Sequence, residues 1–218
     1  MSRIVPFLLI LAGLAGSSVP VSAQNPALDG HTIVVRMIER NPSLRSFRAR
    51  VHVNVHMKSF PFLSPTLDGT SYFRRPDNYE VVFDRVPGYA KGFSKLFNDI
   101  GDPASWERDQ SVQFEGMRSL NGRSVLVLRL AKKIHSDQLA DTVAYVDPTE
   151  YTVAQMEWHY RNGGAIVMTQ SFRSEGPYSV ISSQHAIISI PHVRAVADSA
   201  YAAYQTNVAV DTSVFTQK

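Results

Sequence analysis

FRARVHVNVHMK, residues 47–58, alternates apolar and polar side chains over twelve positions without an exception. Successive side chains of a β-strand point to opposite faces of a sheet, so this pattern predicts a long strand with one apolar and one hydrated face. A strand that is covered on only one face is typical of an antiparallel sheet. The sequence therefore predicts an antiparallel sheet around this strand.

Turn signals divide much of the remaining chain into further strands. Asn162-Gly163-Gly164 is the strongest of them, because Asn-Gly pairs suit the tight turns of β-hairpins. Asn121-Gly122 is a similar signal. Together with segment 47–58, these signals predict nine or ten strands in up-and-down order. The further strands are predicted at 70–75, 79–86, 112–118, 124–130, 142–146, 152–160, 165–173, 178–190 and, as a final extended piece, 207–215.

The segment 29–40 has the apolar period of a helix rather than that of a strand. Asp29 can cap its start, and Pro42 ends it because the residue before a proline avoids helical geometry. Part of 87–107 and all of 192–204 also have helical spacing and are predicted as helices. The apolar positions of the three segments are Ile33, Val34, Met37 and Ile38; Phe93, Leu96, Phe97 and Ile100; and Val193, Val196, Ala197, Ala200 and Tyr204.

The predicted elements fit one fold class. A long antiparallel sheet must curl to protect its edges, and helices with one apolar stripe need an apolar surface to cover. The concave face of the sheet is the obvious partner for them. We therefore expect an α+β fold, in which a curved antiparallel sheet forms an unclosed half β-barrel and the helices cover its concave apolar face.

The first 23 residues have the three parts of a secretory signal peptide. A basic start at Arg3 precedes an apolar run, 4–15, and Val21-Ser22-Ala23 then offers a cleavage site. A membrane anchor is the alternative, but this run is short for a span of ~30 Å of hydrocarbon. We expect cleavage after Ala23, a single domain at 24–218 and export to the periplasm. Because the chain has no cysteine for a lipid anchor, the exported domain is predicted to be soluble.

Composition and motifs argue against several classes of function. The formal net charge is +3, and no run of Lys or Arg resembles a nucleic-acid footprint. His52 and His56 would stand ~13 Å apart along a strand, which is too far for one metal ion. No Walker loop, dinucleotide glycine pattern, nucleophile elbow or His-Glu-x-x-His motif occurs. We therefore predict a protein that is not an enzyme and that takes no cofactor, no metal and no nucleic acid.

Three segments carry a family resemblance. Residues 44–49, LRSFRA, follow the first predicted helix, and residues 69–79, GTSYFRRPDNY, cover the next predicted hairpin. This order resembles the opening of LolA-type proteins, and the end of the chain, 204–215, is similar to their closing strand. The resemblance is clear over 28–86. The chain is thus similar to the LolA/LolB-like superfamily of periplasmic outer-membrane lipoprotein carriers, with its LppX/LprG and RseB-like relatives.

The resemblance implies an unclosed barrel whose apolar cavity lies under a helical lid and takes lipid-bearing cargo. Arg75 matches an arginine that holds the lid through hydrogen bonds to backbone carbonyls. Tyr79 matches an aromatic residue on the cavity wall nearby. The segment 88–107 is longer than the loop expected from the family, and whether it is a lid or a docking arm stays open.

A carrier of acyl chains needs a large apolar hollow, since each CH₂ group in water costs ~0.8 kcal/mol. The inward positions of the predicted strands can line one, and the Met and aromatic side chains among them adapt to variable ligands. Ordinary packing under the helices is the alternative role for these positions. The candidate ligand-binding residues are Val51, Val53, Val55, Phe73, Arg75, Tyr79, Val81, Phe83, Met156, Trp158, Ile166, Met168 and Phe172.

Three functions remain open from the sequence. The first is a periplasmic carrier that holds lipid or lipoprotein acyl chains under a helical lid. The second is an envelope sensor on the same scaffold, whose cargo changes its contact with a membrane partner, and the third is a hydrolase. For the carrier, the expected partners are acyl chains and a membrane-bound donor or acceptor protein, and nothing in the sequence demands more than a monomer.

Overall fold

One antiparallel sheet of ten strands makes up most of the protein. The computed structural model describes residues 28–76, 78–86, 103–134 and 138–216, and within these ranges two α-helices accompany the sheet. The helices are α1, Gly30–Glu39, and α2, Pro103–Asp109. The strands are β1, Ser46–Met57; β2, Thr66–Arg74; β3, Asn78–Phe83; β4, Gln110–Leu120; β5, Arg123–Lys132; β6, Leu139–Val146; β7, Val153–Tyr160; β8, Ala165–Glu175; β9, Tyr178–Ile190; and β10, Val193–Thr206.

The order of the strands leaves the sheet open. Across the sheet the order is β3-β2-β1-β10-β9-β8-β7-β6-β5-β4, so every neighbouring pair except β1 and β10 is also consecutive in the chain. The strands β3 and β4 follow one another in the chain but form the two opposite edges. The up-and-down order and the unclosed half-barrel predicted from the sequence are therefore confirmed, with the gap between β3 and β4.

The strand β1 lies inside the sheet and has the two faces that its sequence predicts. It pairs with β2 on one side and β10 on the other. Val51, Val53 and Val55 are at most 2% exposed, whereas His52 and His56 on the other face are exposed. The apolar face of β1 belongs to one large cluster of buried residues that includes the apolar side chains of α1. The concave face of the half-barrel is therefore the core of the protein.

The helix predicted at 192–204 is wrong, because this segment is the long strand β10. Ala195, Ala197, Ser199 and Tyr201 are buried at every second position, which is the period of a strand. Alanine favours helices, but this preference is weak beside the backbone and side-chain contacts that an inner strand makes with two neighbours. The strand β10 pairs with β1 and β9 and so joins the two ends of the meander.

The helix α1 agrees with the prediction and covers the core. The side chain of Asp29 accepts a hydrogen bond from the backbone N–H of Thr32 at 2.7 Å and caps the helix. Ile33 and Val34 are fully buried and Met37 is 3% exposed. The predicted apolar stripe therefore faces the sheet.

Other predictions about the ends and loops have mixed outcomes. The segment 207–215 contains a short 3₁₀ helix, Thr212–Phe215, instead of a fully extended piece. Asp211 accepts a hydrogen bond from the backbone N–H of Ser213 there, which favours the turn. The predicted signal peptide and the predicted helix around 93–100 lie outside the described residues. Neither helix in the described ranges is long and apolar enough to span a bilayer.

The helix α2 packs beside α1. Trp106 of α2 is 1% exposed and belongs to the same core cluster as the α1 side chains. On the surface, His31 Nδ1 lies 2.9 Å from Glu107 Oε1, which ties the start of α1 to α2. The hydrogen bond and negative charge of Glu107 raise the pKa of His31 above its usual value.

Replacing a buried valine of β1 should cost much more stability than replacing an exposed histidine of the same strand. Val53→Ala removes two buried carbon atoms and leaves a small cavity, so we expect a loss of about 2 kcal/mol in the free energy of unfolding. His56→Ala should change it by less than about 0.5 kcal/mol. Urea denaturation of both variants checks the assignment of the two faces, and equal losses would contradict it.

The pKa of His31 should fall when Glu107 loses its charge. Glu107→Gln removes the negative charge, so the pKa measured by NMR titration should move back toward ~6.5. In the unmodified protein the folded-state pKa is raised, so the contact contributes fully below the unfolded-state pKa and is lost as the pH rises through the folded-state pKa. An unchanged pKa of His31 in Glu107→Gln would contradict the contact between α1 and α2.

Candidate functional site

A small cavity opens where α1 ends, at one end of the half-barrel. Its walls come from the two helices and the sheet. They are the end of α1 and the following turn, the start of α2, the adjoining ends of β1, β2 and β3, the start of β7, and the hairpin of β8 and β9. Its volume is about 100 Å³, well below the ~300–1,000 Å³ of pockets that enclose drug-sized ligands. The apolar lining residues include Met37, Leu44, Phe47, Phe73, Tyr79 and Phe172, and the polar ones include Arg40, Asn41, Arg75 and Gln170.

Aromatic rings form one side of this cavity. Phe47 stacks on Phe73 with 5.4 Å between ring centroids, and it meets the edges of Tyr79 at 6.5 Å and Tyr204 at 5.3 Å. Phe47 and Phe73 face one another across β1 and β2 because their Cα atoms pair in register. Such aromatic pairs add roughly 0.5–1.5 kcal/mol each beyond simple burial. This wall of the cavity is thus held in place by its own packing.

Arg75 holds the end of α1 through backbone carbonyls. Its Nε donates to the carbonyl oxygen of Leu44 at 2.7 Å, and its Nη2 donates to those of Ile38 at 3.1 Å and Asn41 at 2.8 Å. The last carbonyls of a helix have no partner within the helix, so a guanidinium is well suited to satisfy them. The hydrogen bonds that the family resemblance implies for Arg75 are present. A part for Arg75 in ligand binding stays a prediction.

Asn41 ties the same turn to the opposite wall. Its Nδ2 donates to the carbonyl oxygen of Ser179 at 2.8 Å, and its Oδ1 accepts from the backbone N–H of Ser179 at 3.0 Å. The sequence indicates only that Asn41 precedes a proline and ends the helix. Its partner lies 138 positions away in the chain, so no local pattern could have revealed this second attachment.

Three polar groups of the residues that line the cavity have no hydrogen-bond partner. Arg40 Nη1, Gln170 Nε2 and the hydroxyl of Tyr79 are buried, and none of them has a partner among the described residues. The guanidinium of Arg40 lies 4.7 Å from the ring centroid of Phe172. Burial lowers the pKa of Arg40 to about 10, against the opposing influence of Tyr204 and Glu150. Arg40 therefore remains a cation at neutral pH in a partly apolar setting.

The predicted ligand-binding residues separate into two groups. Phe73, Arg75, Tyr79 and Phe172 line the cavity. The other nine residues do not; eight are buried in the core cluster under α1 and the ninth, Phe83, packs against that cluster. A role in ligand binding stays a prediction for all of them. The residues of the core group are Val51, Val53, Val55, Val81, Phe83, Met156, Trp158, Ile166 and Met168.

Alternation alone could not separate these two groups, because cavity wall and core share the inward face of each strand. The sequence patterns also gave no reason to predict the polar residues Arg40 and Gln170 as part of the site. Arg40 stands at the end of a predicted helix, where a basic side chain is common for reasons of helix polarity alone. Gln170 occupies an ordinary position within a predicted strand. Only the tertiary structure places their side chains on one cavity.

Comparison with known proteins identifies the fold. No family model matches the sequence, and no curated protein matches it either. Several solved structures share the architecture at low sequence identity. They include a DUF1329 family protein from Desulfovibrio piger, with 9% identity, coverage of 85% of this chain and 95% of that one, and a TM-score of 0.66.

Two further structures have similar folds. One is a domain from Vibrio parahaemolyticus named for outer membrane lipoprotein sorting, with 12% identity, coverage of 85% and 95%, and a TM-score of 0.62. The other is a LolA superfamily protein from Nitrosomonas europaea, with 12% identity, coverage of 88% and 99%, and a TM-score of 0.60. The protein therefore has the LolA/LolB-like fold, as the resemblance of its N-terminal segments predicted.

Proposed function

We propose that this protein is a periplasmic carrier that holds the acyl chains of a lipid or lipoprotein inside the half-barrel, with α1 as the lid. It binds and releases its cargo without chemical conversion, and it acts as a monomer between membrane-bound donor and acceptor partners. Two solved structures with this fold are named for the LolA superfamily or for lipoprotein sorting, which supports a carrier role.

The packing of α1 is the observation that carries this proposal. Its buried side chains Ile33, Val34 and Met37 contact the concave face of an unclosed sheet. At its end, α1 is attached to the sheet by the side chains of Arg75 and Asn41. A helix attached in this way can move aside without breaking the hydrogen bonds between strands. Its departure would uncover the apolar face that the sequence predicts as the ligand-binding surface.

The free energy of uncovering α1 is comparable to that of burying an acyl chain. Uncovering the three buried side chains of α1 costs about 5–9 kcal/mol, at ~1.5–3 kcal/mol each. Transfer of a sixteen-carbon chain from water into the same apolar trough gains about 12 kcal/mol. The two quantities are of similar size, and the hydrogen bonds of Arg75 add to the cost of moving α1. Cargo can therefore displace the lid, and the lid can return when an acceptor membrane takes the cargo.

The small cavity fits this exchange. A volume of about 100 Å³ is too small for an acyl chain while α1 lies on the sheet, so cargo requires α1 to move. The cavity lies at the end of α1, between the helix and the attachment at Arg75. It therefore marks the place where a chain would first enter beneath the lid.

Native mass spectrometry of gently purified protein tests the carrier function. We expect a protein peak with an added mass of one lipid or acylated molecule, and incubation with acceptor vesicles should remove that mass without chemical change. Failure to carry lipid, both from the cell and after incubation with lipids in excess, would contradict the carrier. Recovery of hydrolysed lipid would favour the hydrolase instead.

Replacing Arg75 should tighten the hold on cargo and slow its release. The three hydrogen bonds of Arg75 exist in the closed form, so Arg75→Leu weakens that form relative to the open, loaded form. Hydrogen bonds to a charged group are worth ~1.5–3 kcal/mol each, so we expect affinity for palmitate to rise about tenfold or more and transfer to vesicles to slow accordingly.

Arg74→Leu is the matched control for that variant. Arg74 donates to Thr212 Oγ1 at 3.2 Å and lies over the ring of Phe215, away from α1. Arg74→Leu removes the same charge from the neighbouring position, so the rate of palmitate transfer to vesicles should stay as in the unmodified protein. Unchanged transfer by Arg75→Leu, or equal effects of both variants, would contradict the role of Arg75 in holding the lid closed.

A further inference from the structure

We infer that Arg40 and Gln170 form a binding site for the anionic head group, a carboxylate or a phosphate, of the amphiphile that this protein carries. The inference rests on the proposed carrier function, and it names the chemical class of the cargo. It follows from two buried nitrogen donors, Arg40 Nη1 and Gln170 Nε2, that line one cavity and have no acceptor.

Arg40 carries a charge that no group in the described part of the chain neutralises at close range. Among the described residues no carboxylate forms an ion pair with it, and its Nη1 is buried without an acceptor. The ring of Phe172 partly compensates this cation, as aromatic faces attract guanidinium groups. Glu150 acts on Arg40 only through its charge. A buried guanidinium normally has several acceptors, so an unpaired donor at this position favours the binding of an anion.

Gln170 adds a second donor to the same cavity. Its Nε2 carries two hydrogens and cannot accept a hydrogen bond, and it too is buried without a partner. Of the other polar side chains that line the cavity, the hydroxyl of Tyr79 is also buried without a partner, whereas Arg75 and Asn41 are already satisfied. Arg75 donates to three carbonyls, and Asn41 is paired with the backbone of Ser179.

An oxygen anion fits this set better than a neutral or cationic group does. Carboxylate and phosphate oxygens accept several hydrogen bonds at once and pair well with guanidinium. The other walls are apolar and aromatic, with Met37, Phe47 and Phe73 among them, which suits the first carbons of an acyl chain. The site therefore fits a molecule in which an anionic head adjoins a hydrocarbon chain, such as a fatty acid or an anionic lysophospholipid.

Binding of three amphiphiles with the same chain tests this site. Palmitate has a carboxylate head, palmitoyl lysophosphatidic acid has a phosphate head, and monopalmitin is neutral. Titration calorimetry below the micelle concentration, at a pH where palmitate is ionised, should give about 10- to 100-fold tighter binding of at least one anionic ligand than of monopalmitin. Whichever anion binds more tightly identifies the source of the head group.

Two variants assign the preference to the proposed residues. Arg40→Met should abolish the advantage of the anionic ligands and leave monopalmitin unaffected. Gln170→Glu places a carboxylate on the cavity that Arg40 also lines, so it should weaken anionic ligands while sparing the neutral one. It also keeps the test decisive if Arg40→Met does not fold. Arg45→Met is the control, because Arg45 is exposed and lies off the cavity wall.

The outcomes separate this inference from the carrier function. Equal binding of anionic and neutral ligands by the unmodified protein would overturn the head-group site and leave the carrier intact. An anionic preference that survives both Arg40→Met and Gln170→Glu would overturn the assignment to these residues. If none of the three ligands binds, the carrier function fails first, and the head-group site falls with it.

Discussion

The apolar contact between α1 and the concave face of the sheet is the interaction on which the rest of the structure depends. A ten-stranded sheet that does not close leaves one long apolar face for which another element must provide the cover. Ile33, Val34 and Met37 supply it. Gly30 allows the helix to start very close to β4, since a Cβ atom there would lie 2.6 Å from the carbonyl oxygen of Val112. The start of α1 therefore packs closely against the edge strand β4.

The polar contacts of α1 differ in kind from its apolar contact. Arg75, Asn41 and the pair of His31 and Glu107 fix the position of the helix through directional bonds. Water can take the place of such bonds when the helix moves, because each bond exchanges a protein partner for a solvent partner. An acyl chain can replace the apolar contact in the same way. Both parts of the attachment are therefore reversible, which is what a carrier that must reload requires.

The sequence predicted most of the fold because local patterns and tertiary contacts agree along most of the chain. The alternation of β1, the cap at Asp29 and the Asn-Gly turns each indicate the structure that forms. The strand β10 is the exception, since its alanines favour a helix and only pairing with β1 and β9 decides otherwise. For the site, the resemblance identified Arg75, whereas Arg40, Asn41 and Gln170 depend on contacts that no short segment encodes.

Movement of α1 on cargo binding is the central claim, and a distance between spin labels measures it most directly. The chain has no cysteine, so Glu39→Cys on α1 and Ala200→Cys on the outer face of β10 can be labelled selectively, and both positions are exposed. Electron–electron double resonance should show one distance in the empty protein and a longer one when palmitate is bound. An unchanged distance in protein that demonstrably holds palmitate would contradict the account.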